Sequence, residues 1–198
     1  KAMGQDGRIS PKFLHPGPGF GGSCFPKDIQ AFAALSNNKG LPMKTIEAAI
    51  SANDHQKTRM TEKMKSLMGG DFAGKQIAVL GLAFKPNTDD VRESSSITMI
   101  RTIFDHGGHV RAYDPIANDS MKEIFPELNC FESWELACKD ADGVVIMTEW
   151  NEFRGMSLEV LKSLVSTPVI LDTRNILSIE KLNEYGFIFD NVGRKPVL

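Results

Sequence analysis

The sequence predicts an α/β protein in two parts, a helical first part with one long helix and a doubly wound parallel sheet. Three observations support this prediction. Residues 1–70 combine a Gly- and Pro-rich stretch with two helical patterns. After residue 70, short apolar segments alternate with helical patterns, which is typical of a parallel sheet. The apolar segments are continuous runs, as expected of strands that helices cover on both faces.

The first part begins as a loop, because residues 1–22 are dense in Gly and Pro and lack a helical apolar pattern. Pro26 then suits the first position of a helix that ends near Gly40. We therefore expect Cys24 to lie immediately before the N-terminus of this helix, where the helix dipole favours negative charge.

A second, longer helix is predicted from about residue 42 to residue 67, where two glycines follow it. At about 1.5 Å per residue it would span about 40 Å, too long for a small neighbouring domain to cover alone. Its apolar stripe consists of Ile46, Ile50, Met60 and Met64. Because such a stripe would be an aggregation liability in a monomer, the helix predicts a homodimer.

The second part, residues 71–198, is predicted to be a Rossmann-like sheet. The predicted strands are residues 77–80, 110–113, 144–147 and 169–171. The predicted helices are residues 94–105, 119–125, 133–138, 158–165 and 179–185. Ligands of such sheets bind beyond the carboxyl ends of the strands. The segments expected to face a ligand are residues 81–93, 114–115, 148–150 and 172–175.

Composition limits the class of protein. The chain has 198 residues, 41% of them hydrophobic and 24% charged, which is ordinary for a water-soluble globular protein. Its net charge of −2 is mixed along the chain, so we expect neither nucleic acid nor a membrane surface as a partner. With no long apolar run and no leader pattern, a cytoplasmic protein is expected.

The cysteines do not indicate a disulfide framework or a metal site. Cys24, Cys130 and Cys138 are an odd number and lack CxxC or Cys/His ligand spacing. Cys130 and Cys138 flank a short predicted helix in apolar company, so core packing is their expected role.

Cys24 lies in the segment GFGGSCFPKD, residues 19–28. A cysteine at a helix start feels the helix dipole and the nearby Lys27, both of which favour a thiolate. The paired glycines before it let a substrate approach the backbone closely. These are conditions for a nucleophile, although a small buried cysteine beside a helix cap is the alternative.

This segment resembles the active-site signature of the UDP-glucose/GDP-mannose dehydrogenase family. Upstream, residues 7–9 and 12–14 resemble the substrate loop of that family. Downstream, residues 81–94, GLAFKPNTDDVRES, resemble its second diagnostic stretch. Three further segments follow in the expected order, at residues 112–115, 148–150 and 172–175. The resemblance therefore covers nearly the whole chain.

The resemblance implies a four-electron oxidation of a sugar C6 alcohol to a carboxylate, with NAD as the oxidant. Cys24 would be the nucleophile, forming a thiohemiacetal and then a thioester that water hydrolyses. Asp28, about one helical turn away, would help to activate the water. Its alternative role is a partner for the helix dipole.

The resemblance also implies the binding residues. The substrate-binding residues would be Arg8, Phe13, Leu14, His15, Pro16, Gly17, Pro18, Gly19, Phe20, Gly21, Phe84, Lys85 and Arg174. The residues beside NAD would be Cys24, Lys27 and Arg92. Taken singly, each of these cations could be a solvated surface charge, and Arg92 could pair with Asp90 or Glu93. Arg174 and Lys85 gain weight because each follows a predicted strand.

The turn after the first predicted strand does not indicate a dinucleotide site. It reads Gly81-Leu82-Ala83-Phe84 and lacks the glycines of G-x-G-x-x-G. By the resemblance, NAD belongs mainly to an N-terminal domain that this chain does not contain. We thus expect residues 1–70 to carry the catalytic cysteine and the dimer helix, and residues 71–198 to bind the UDP-sugar.

The substrate and the activity of the chain stay open at this point. UDP-glucose is the substrate that the resemblance favours, and GDP-mannose or a UDP-N-acetylhexosamine is the alternative. A third alternative is a nucleotide-sugar-binding and dimerisation module that does not catalyse turnover.

Overall fold

The computed structural model describes residues 2–194, apart from the side chains of residues 12 and 13. Two short 3₁₀ turns come first, at Met3–Gln5 and Pro11–Leu14. The helices are α1 Phe25–Asn38, α2 Lys44–Leu67, α3 Ser95–Asp105, α4 Asn118–Ile124, α5 Trp134–Cys138, α6 Asn151–Arg154, α7 Leu158–Leu164 and α8 Ile179–Glu184. The strands are β1 Gln76–Leu80, β2 His109–Tyr113, β3 Asn129–Cys130, β4 Gly143–Ile146, β5 Val169–Asp172 and β6 Ile188–Asn191.

The six strands form one parallel sheet in the order β3-β2-β1-β4-β5-β6. The chain order reverses between β1 and β4, which is the arrangement of a doubly wound Rossmann-like sheet. The predicted fold class is therefore confirmed. The four predicted strands and five predicted sheet helices are present, each with boundaries within one residue of the prediction.

Three elements were not predicted: β3, β6 and α6. The single turn of α6 and the two residues of β3 are too short to show a period. The strand β6 ends in Asp190 and Asn191, residue types that are depleted in strands. It forms as an edge strand paired with β5, and Lys63 of α2 binds Asp190 Oδ2 at 2.6 Å and the Asn191 carbonyl at 2.9 Å.

Two hydrophobic layers cover the sheet because successive strand residues point to opposite faces. Ile77 and Val79 of β1 join one layer, together with residues of α2 and α3. Ala78 and Leu80 join the other layer, together with residues of α5, α7 and α8. All four β1 side chains are inaccessible to solvent, so β1 is the centre of the core.

The long helix α2 has 24 residues and thus a length of about 36 Å at about 1.5 Å per residue. Its predicted apolar stripe is not a single surface. Met60 and Met64 are buried in the sheet core, whereas Ile46 and Ile50 are half-buried. The prediction that the whole stripe is exposed for dimerisation is wrong for the two methionines. A periodic pattern identifies an apolar face but does not say which surface covers it.

Within residues 2–194, every helix is too short or too polar to span a membrane.

Candidate active site

The glycine-rich loop before α1 is held by α2. The Asn53 side chain accepts a hydrogen bond from the Phe20 amide at 2.7 Å and donates one to the Phe20 carbonyl at 3.2 Å. One turn on, Gln56 Nε2 donates to the Gly17 carbonyl at 2.8 Å. The sequence analysis gave neither side chain a role. The available signal was a run of polar residues that interrupts the apolar pattern of a long helix.

The other side of this loop rests on the segment after β1. The Gly22 amide donates to the Arg92 carbonyl at 2.8 Å. A Cβ added at Gly21 would lie only 2.4 Å from the Glu93 carbonyl oxygen, so a side chain there would push the two segments apart. The glycine at position 21 is thus explained by packing within the chain, whereas the sequence analysis explained it by substrate approach.

Cys24 caps the N-terminus of α1 and is exposed to solvent. Its Sγ lies 3.6 Å from Ser23 Oγ. This agrees with the predicted position before a helix, and it differs from the alternative of a small buried cysteine. The other two cysteines are partly or fully buried, and burial raises the pKa of Cys138 to about 12. Only Cys24 therefore combines a thiol with access from solvent.

Lys27 and Asp28 pair with each other beside Cys24. Lys27 Nζ lies 2.7 Å from Asp28 Oδ1, and the hydrogen bond to Asp28 is the main cause that raises the pKa of Lys27. Both side chains are largely exposed. The Asp28 amide donates to the Cys24 carbonyl at 2.9 Å, so Asp28 does lie one helical turn from the cysteine.

Arg92 is paired with Asp90, as the alternative interpretation expected. Its guanidinium donates to both carboxylate oxygens of Asp90, each at 2.8 Å. These bonds raise the pKa of Arg92, and Cys24 adds a smaller contribution, which places Arg92 near the thiol. Glu93 instead pairs with the nearly buried Lys57, at 3.3 Å.

Arg174 joins three segments at the edge of the sheet. Its Nε donates to the Met147 carbonyl at 2.7 Å, and its Nη2 donates to the Phe84 carbonyl at 3.3 Å. Only 16% of the side chain is exposed, and Glu149 Oε2 lies 3.2 Å from Nε. Burial lowers the pKa of Arg174, which Glu149 partly opposes. A solvated surface charge, the alternative interpretation, does not describe this residue.

Phe84 and Lys85 follow β1 at the same edge. The Phe84 amide donates to the Asp90 carbonyl at 3.1 Å, which folds the segment back on itself. Lys85 is exposed, and its Nζ lies 5.2 Å from the centre of the Phe84 ring. The pair forms an aromatic surface with a cation next to the glycine-rich loop.

Two cavities open at this edge, and they share His15 and Arg174. We name the first, of about 530 Å³, the loop cavity. It is lined by His15, Gly17, Gly19, Phe20, Gly21, Phe25, Phe84 and Arg174. We name the second, of about 560 Å³, the arginine cavity. It is lined by His15, Pro16, Glu149, Arg154, Arg174, Asn175, Val192, Gly193 and Arg194.

The cavities bring together most, but not all, of the predicted substrate residues. Pro18 is buried and lines neither cavity. Leu14 is exposed and also lies outside both. Arg8 has a side chain that is 90% exposed and pairs with Asp6 at 2.7 Å. The side chain of Phe13 lies outside the described part of the chain.

Arg154, Asn175 and Arg194 line the arginine cavity but were not predicted. Asn175 lies in a segment that the strand-end rule had singled out, so a weak signal existed. Arg154 and Arg194 belong to α6 and to the segment after β6, two elements that the sequence analysis missed. The position of both arginines at a strand end could not be inferred without those elements.

The turn between β1 and α3 binds a carboxylate of the chain itself. Asp114 Oδ2 accepts hydrogen bonds from the Leu82 amide at 2.7 Å and from Trp150 Nε1 at 3.1 Å. A Cβ added at Gly81 would lie 2.6 Å from the Thr148 amide. In dinucleotide-binding sheets, the corresponding amides face the pyrophosphate. Here the buried Asp114 occupies them, which adds a physical reason to the missing glycines.

The letters G-x-G-x-x-G do occur elsewhere in the chain, at residues 17–22. The sequence analysis did not note this match. The segment is preceded by the 3₁₀ turn Pro11–Leu14 and not by a strand, so the strand–turn–helix context of a dinucleotide fingerprint is missing. The match therefore gives no evidence of NAD binding.

Across residues 2–194, no group of three or more His, Cys, Asp or Glu side chains could hold a metal ion.

Two family descriptions match the chain. Residues 1–55 match the UDP-glucose/GDP-mannose dehydrogenase family, central domain, and residues 78–179 match the UDP binding domain of the same family. The UDP-glucose 6-dehydrogenase of Rhizobium meliloti is 42% identical over 194 residues, covering 98% of this chain and 44% of that protein. TuaD of Bacillus subtilis, also a UDP-glucose 6-dehydrogenase, is 42% identical over 196 residues, covering 98% and 42%.

Solved structures give the same picture. A UDP-glucose dehydrogenase from Pyrobaculum islandicum superposes with a TM-score of 0.81 at 31% identity, covering 96% of this chain and 41% of that one. A UDP-D-ManNAc dehydrogenase from Pyrococcus horikoshii gives a TM-score of 0.74 at 29% identity, with 90% and 40% covered. The chain spans less than half the length of the curated relatives that it matches.

Proposed function

Since this chain belongs to the UDP-glucose/GDP-mannose dehydrogenase family, we propose that it is the catalytic-cysteine and UDP-sugar-binding part of a UDP-glucose 6-dehydrogenase. The whole enzyme would oxidise the C6 alcohol of UDP-glucose to the carboxylate of UDP-glucuronate. UDP-glucose is favoured over GDP-mannose and UDP-N-acetylhexosamines because the similar curated proteins are UDP-glucose 6-dehydrogenases.

One observation carries this proposal. The exposed Cys24 lies between Gly21 and Phe25, two residues that line the loop cavity, and Arg174 lines the same cavity from the sheet. A thiol and a buried cation thus border one space. That space can hold a ligand with a reactive carbon at one end and an anionic group at the other.

Cys24 would act as the nucleophile. Its thiolate adds to the C6 aldehyde, and the aldehyde oxygen takes a proton, which gives a thiohemiacetal. After oxidation to the thioester, one water molecule would release the acid and return the thiol. Asp28 would orient that water or accept its proton, because it is exposed one helical turn away.

The chain offers only part of an NAD site. The β1–α3 turn does not fit a dinucleotide, since Asp114 occupies its amides. Cys24, Lys27 and Arg92 form an exposed group that fits the reacting end of the cofactor, which would supply the hydride acceptor. We propose that another domain of the enzyme binds most of NAD, so that this chain alone binds the nucleotide sugar without oxidising it.

The homodimer is proposed on a smaller surface than the sequence predicted. Large apolar side chains are exposed on α1 and the segment after it, among them Phe32, Leu35 and Leu41. Ile46 and Ile50 continue this surface on the first half of α2. Analytical ultracentrifugation should show a dimer that Ile50→Asp weakens, and a monodisperse monomer at micromolar concentration would refute the proposal.

We also propose the cytoplasm as its location. The three cysteines are free, which is usual in a reducing compartment.

The test of the site uses the reactivity of Cys24. Iodoacetamide should alkylate Cys24 but not the buried Cys138, and UDP-glucose should slow the alkylation of Cys24 by filling the loop cavity. The rate is measured by mass spectrometry of tryptic peptides. GDP-mannose at the same concentration serves as the matched control and should protect less. Equal alkylation with and without UDP-glucose would contradict the proposed site.

A further inference from the structure

Three arginines from three neighbouring strand ends meet in the arginine cavity. Arg154 ends α6, which follows β4, whereas Arg174 follows β5 and Arg194 follows β6. Because β4, β5 and β6 are adjacent and parallel, their carboxyl ends lie at one edge of the sheet. The convergence of the three side chains is thus a consequence of the topology.

The cavity has more positive than negative charge. Glu149 is the carboxylate that lines it, and its Oε2 lies 3.2 Å from Arg174 Nε. Arg194 donates to the carbonyls of Asn175 and Leu177, at 3.2 and 3.4 Å, which leaves its charge in place. Among residues 2–194, no side chain or carbonyl binds the guanidinium of the exposed Arg154.

A second carboxylate lies beneath the cavity but is committed to the backbone. Asp172 is buried, and its two oxygens accept hydrogen bonds from the Arg174 amide at 3.1 Å and the Leu177 amide at 2.9 Å. It does not line the cavity. The wall therefore presents at least one guanidinium with free donors to a ligand, and guanidinium groups bind phosphate oxygens in pairs.

The loop cavity has a different character. Its lining consists of backbone around the glycines and of the rings of Phe20, Phe25 and Phe84, with Arg174 at the boundary. Because His15 and Arg174 line both cavities, one ligand can extend through them. An aromatic and backbone surface suits an uncharged ring, whereas the arginine cavity suits the anionic part of the same ligand.

We infer that the arginine cavity receives the diphosphate of the nucleotide sugar, and that Arg154 and Arg194 bind its oxygens together with Arg174. This inference rests on the proposed function, because it deepens the description of the same substrate. Arg154 and Arg194 become binding residues that neither the sequence motifs nor the cysteine chemistry had identified.

The experiment compares ligands that differ only in their phosphates. Calorimetry measures binding of uridine, UMP and UDP to the chain and to Arg154→Gln. The variant should bind UDP about tenfold more weakly, because a charge-assisted bidentate contact is lost. Its affinity for uridine should stay within twofold. Arg154→Lys keeps the charge but not the paired donors, so its UDP affinity should fall between the two.

Arg59→Gln is the matched control. It removes the same charge from an exposed position on α2 that lines neither cavity, so its UDP affinity should equal that of the unchanged chain. Arg194→Gln should also weaken UDP binding, and thermal unfolding checks that the variant is folded.

The outcomes separate this inference from the function on which it rests. If Arg154→Gln and folded Arg194→Gln bind UDP as tightly as the unchanged chain does, the diphosphate lies elsewhere and the inference is wrong. An equal loss of affinity for uridine and UDP would also overturn it, because the arginines would then act on the nucleoside. Failure of the unchanged chain to bind any uridine nucleotide would instead contradict the proposed function.

Discussion

The helix α1 and the strand β1 are buried to very different degrees. Only Pro26 and Ala33 are buried among the 14 residues of α1, and Phe25 is 56% exposed. In contrast, every side chain from Ile77 to Leu80 in β1 is inaccessible. The sheet thus completes its own core, whereas the region that carries Cys24 leaves an apolar surface that another surface must cover.

This difference suggests a division of labour. The sheet holds Arg174 in a rigid setting, so nucleotide recognition should depend little on the rest of the enzyme. The cysteine end is more open, so its chemistry should depend on what covers it. Four variants test whether recognition, chemistry and stability can be separated in this way, ordered from the largest expected effect to the smallest.

Cys24→Ser should have the largest effect. In the full-length enzyme it should reduce acid formation by about a thousandfold or more, because a hydroxyl is a far weaker nucleophile than a thiolate at neutral pH. The affinity for UDP-glucose should change by less than twofold. Chromatography of UDP-glucuronate and calorimetry provide the two values, and normal acid output from the variant would refute the role of Cys24.

Met64→Ala should have the next largest effect, on stability. Met64 is fully buried between α2 and the sheet, so its truncation should cost about 2–5 kcal/mol of unfolding free energy. Ile50→Ala, on the half-buried first half of the same helix, is the matched control and should cost less than about 1 kcal/mol in the monomer. Urea unfolding measures both, and equal costs would remove the distinction between the halves of α2.

Arg174→Ala should weaken UDP-glucose binding by about 1–3 kcal/mol, the range for a hydrogen bond to a charged group. The loss has two causes: a cation is removed from both cavities, and the buried Glu149 loses its partner. Arg59→Ala provides the exposed control. Calorimetry decides between them, and an unchanged affinity in Arg174→Ala would place the nucleotide elsewhere.

Asn53→Ala should have the smallest effect, about 1 kcal/mol, because net hydrogen bonds of this kind are individually weak. The variant removes both bonds from α2 to Phe20, so the glycine-rich loop should loosen. Protection of Cys24 from iodoacetamide by UDP-glucose should become weaker while Cys24 itself stays reactive. Full protection in this variant would show that α2 does not position the loop.

The sequence predicted most of the sheet, and the reason is physical. The central strands are continuous apolar runs, so their pattern survives without knowledge of their neighbours. The strand β6 did not have such a pattern, because its pairing with β5 and the contact with Lys63 stabilise a segment that ends in Asp190 and Asn191. These tertiary contacts are not visible in local sequence.

The candidate site was predicted unevenly for the same reason. The motif around Cys24 located the thiol at a helix N-terminus, because that position depends on adjacent residues only. The role of Asn53 and the place of Arg154 in a cavity depend on residues distant in sequence, which no motif encodes. Arg8 shows the opposite case, since its motif predicted a substrate contact but the structure pairs it with Asp6.

The most direct measurement of the account follows binding and oxidation on one sample of the chain. UDP-glucose is titrated into the chain by calorimetry, and NADH absorbance is then recorded after NAD is added. The account predicts a UDP-dependent heat and no NADH, because the sheet edge binds the nucleotide while Asp114 occupies the turn amides. Sustained NADH formation by the chain, or no heat at millimolar UDP-glucose, would contradict it.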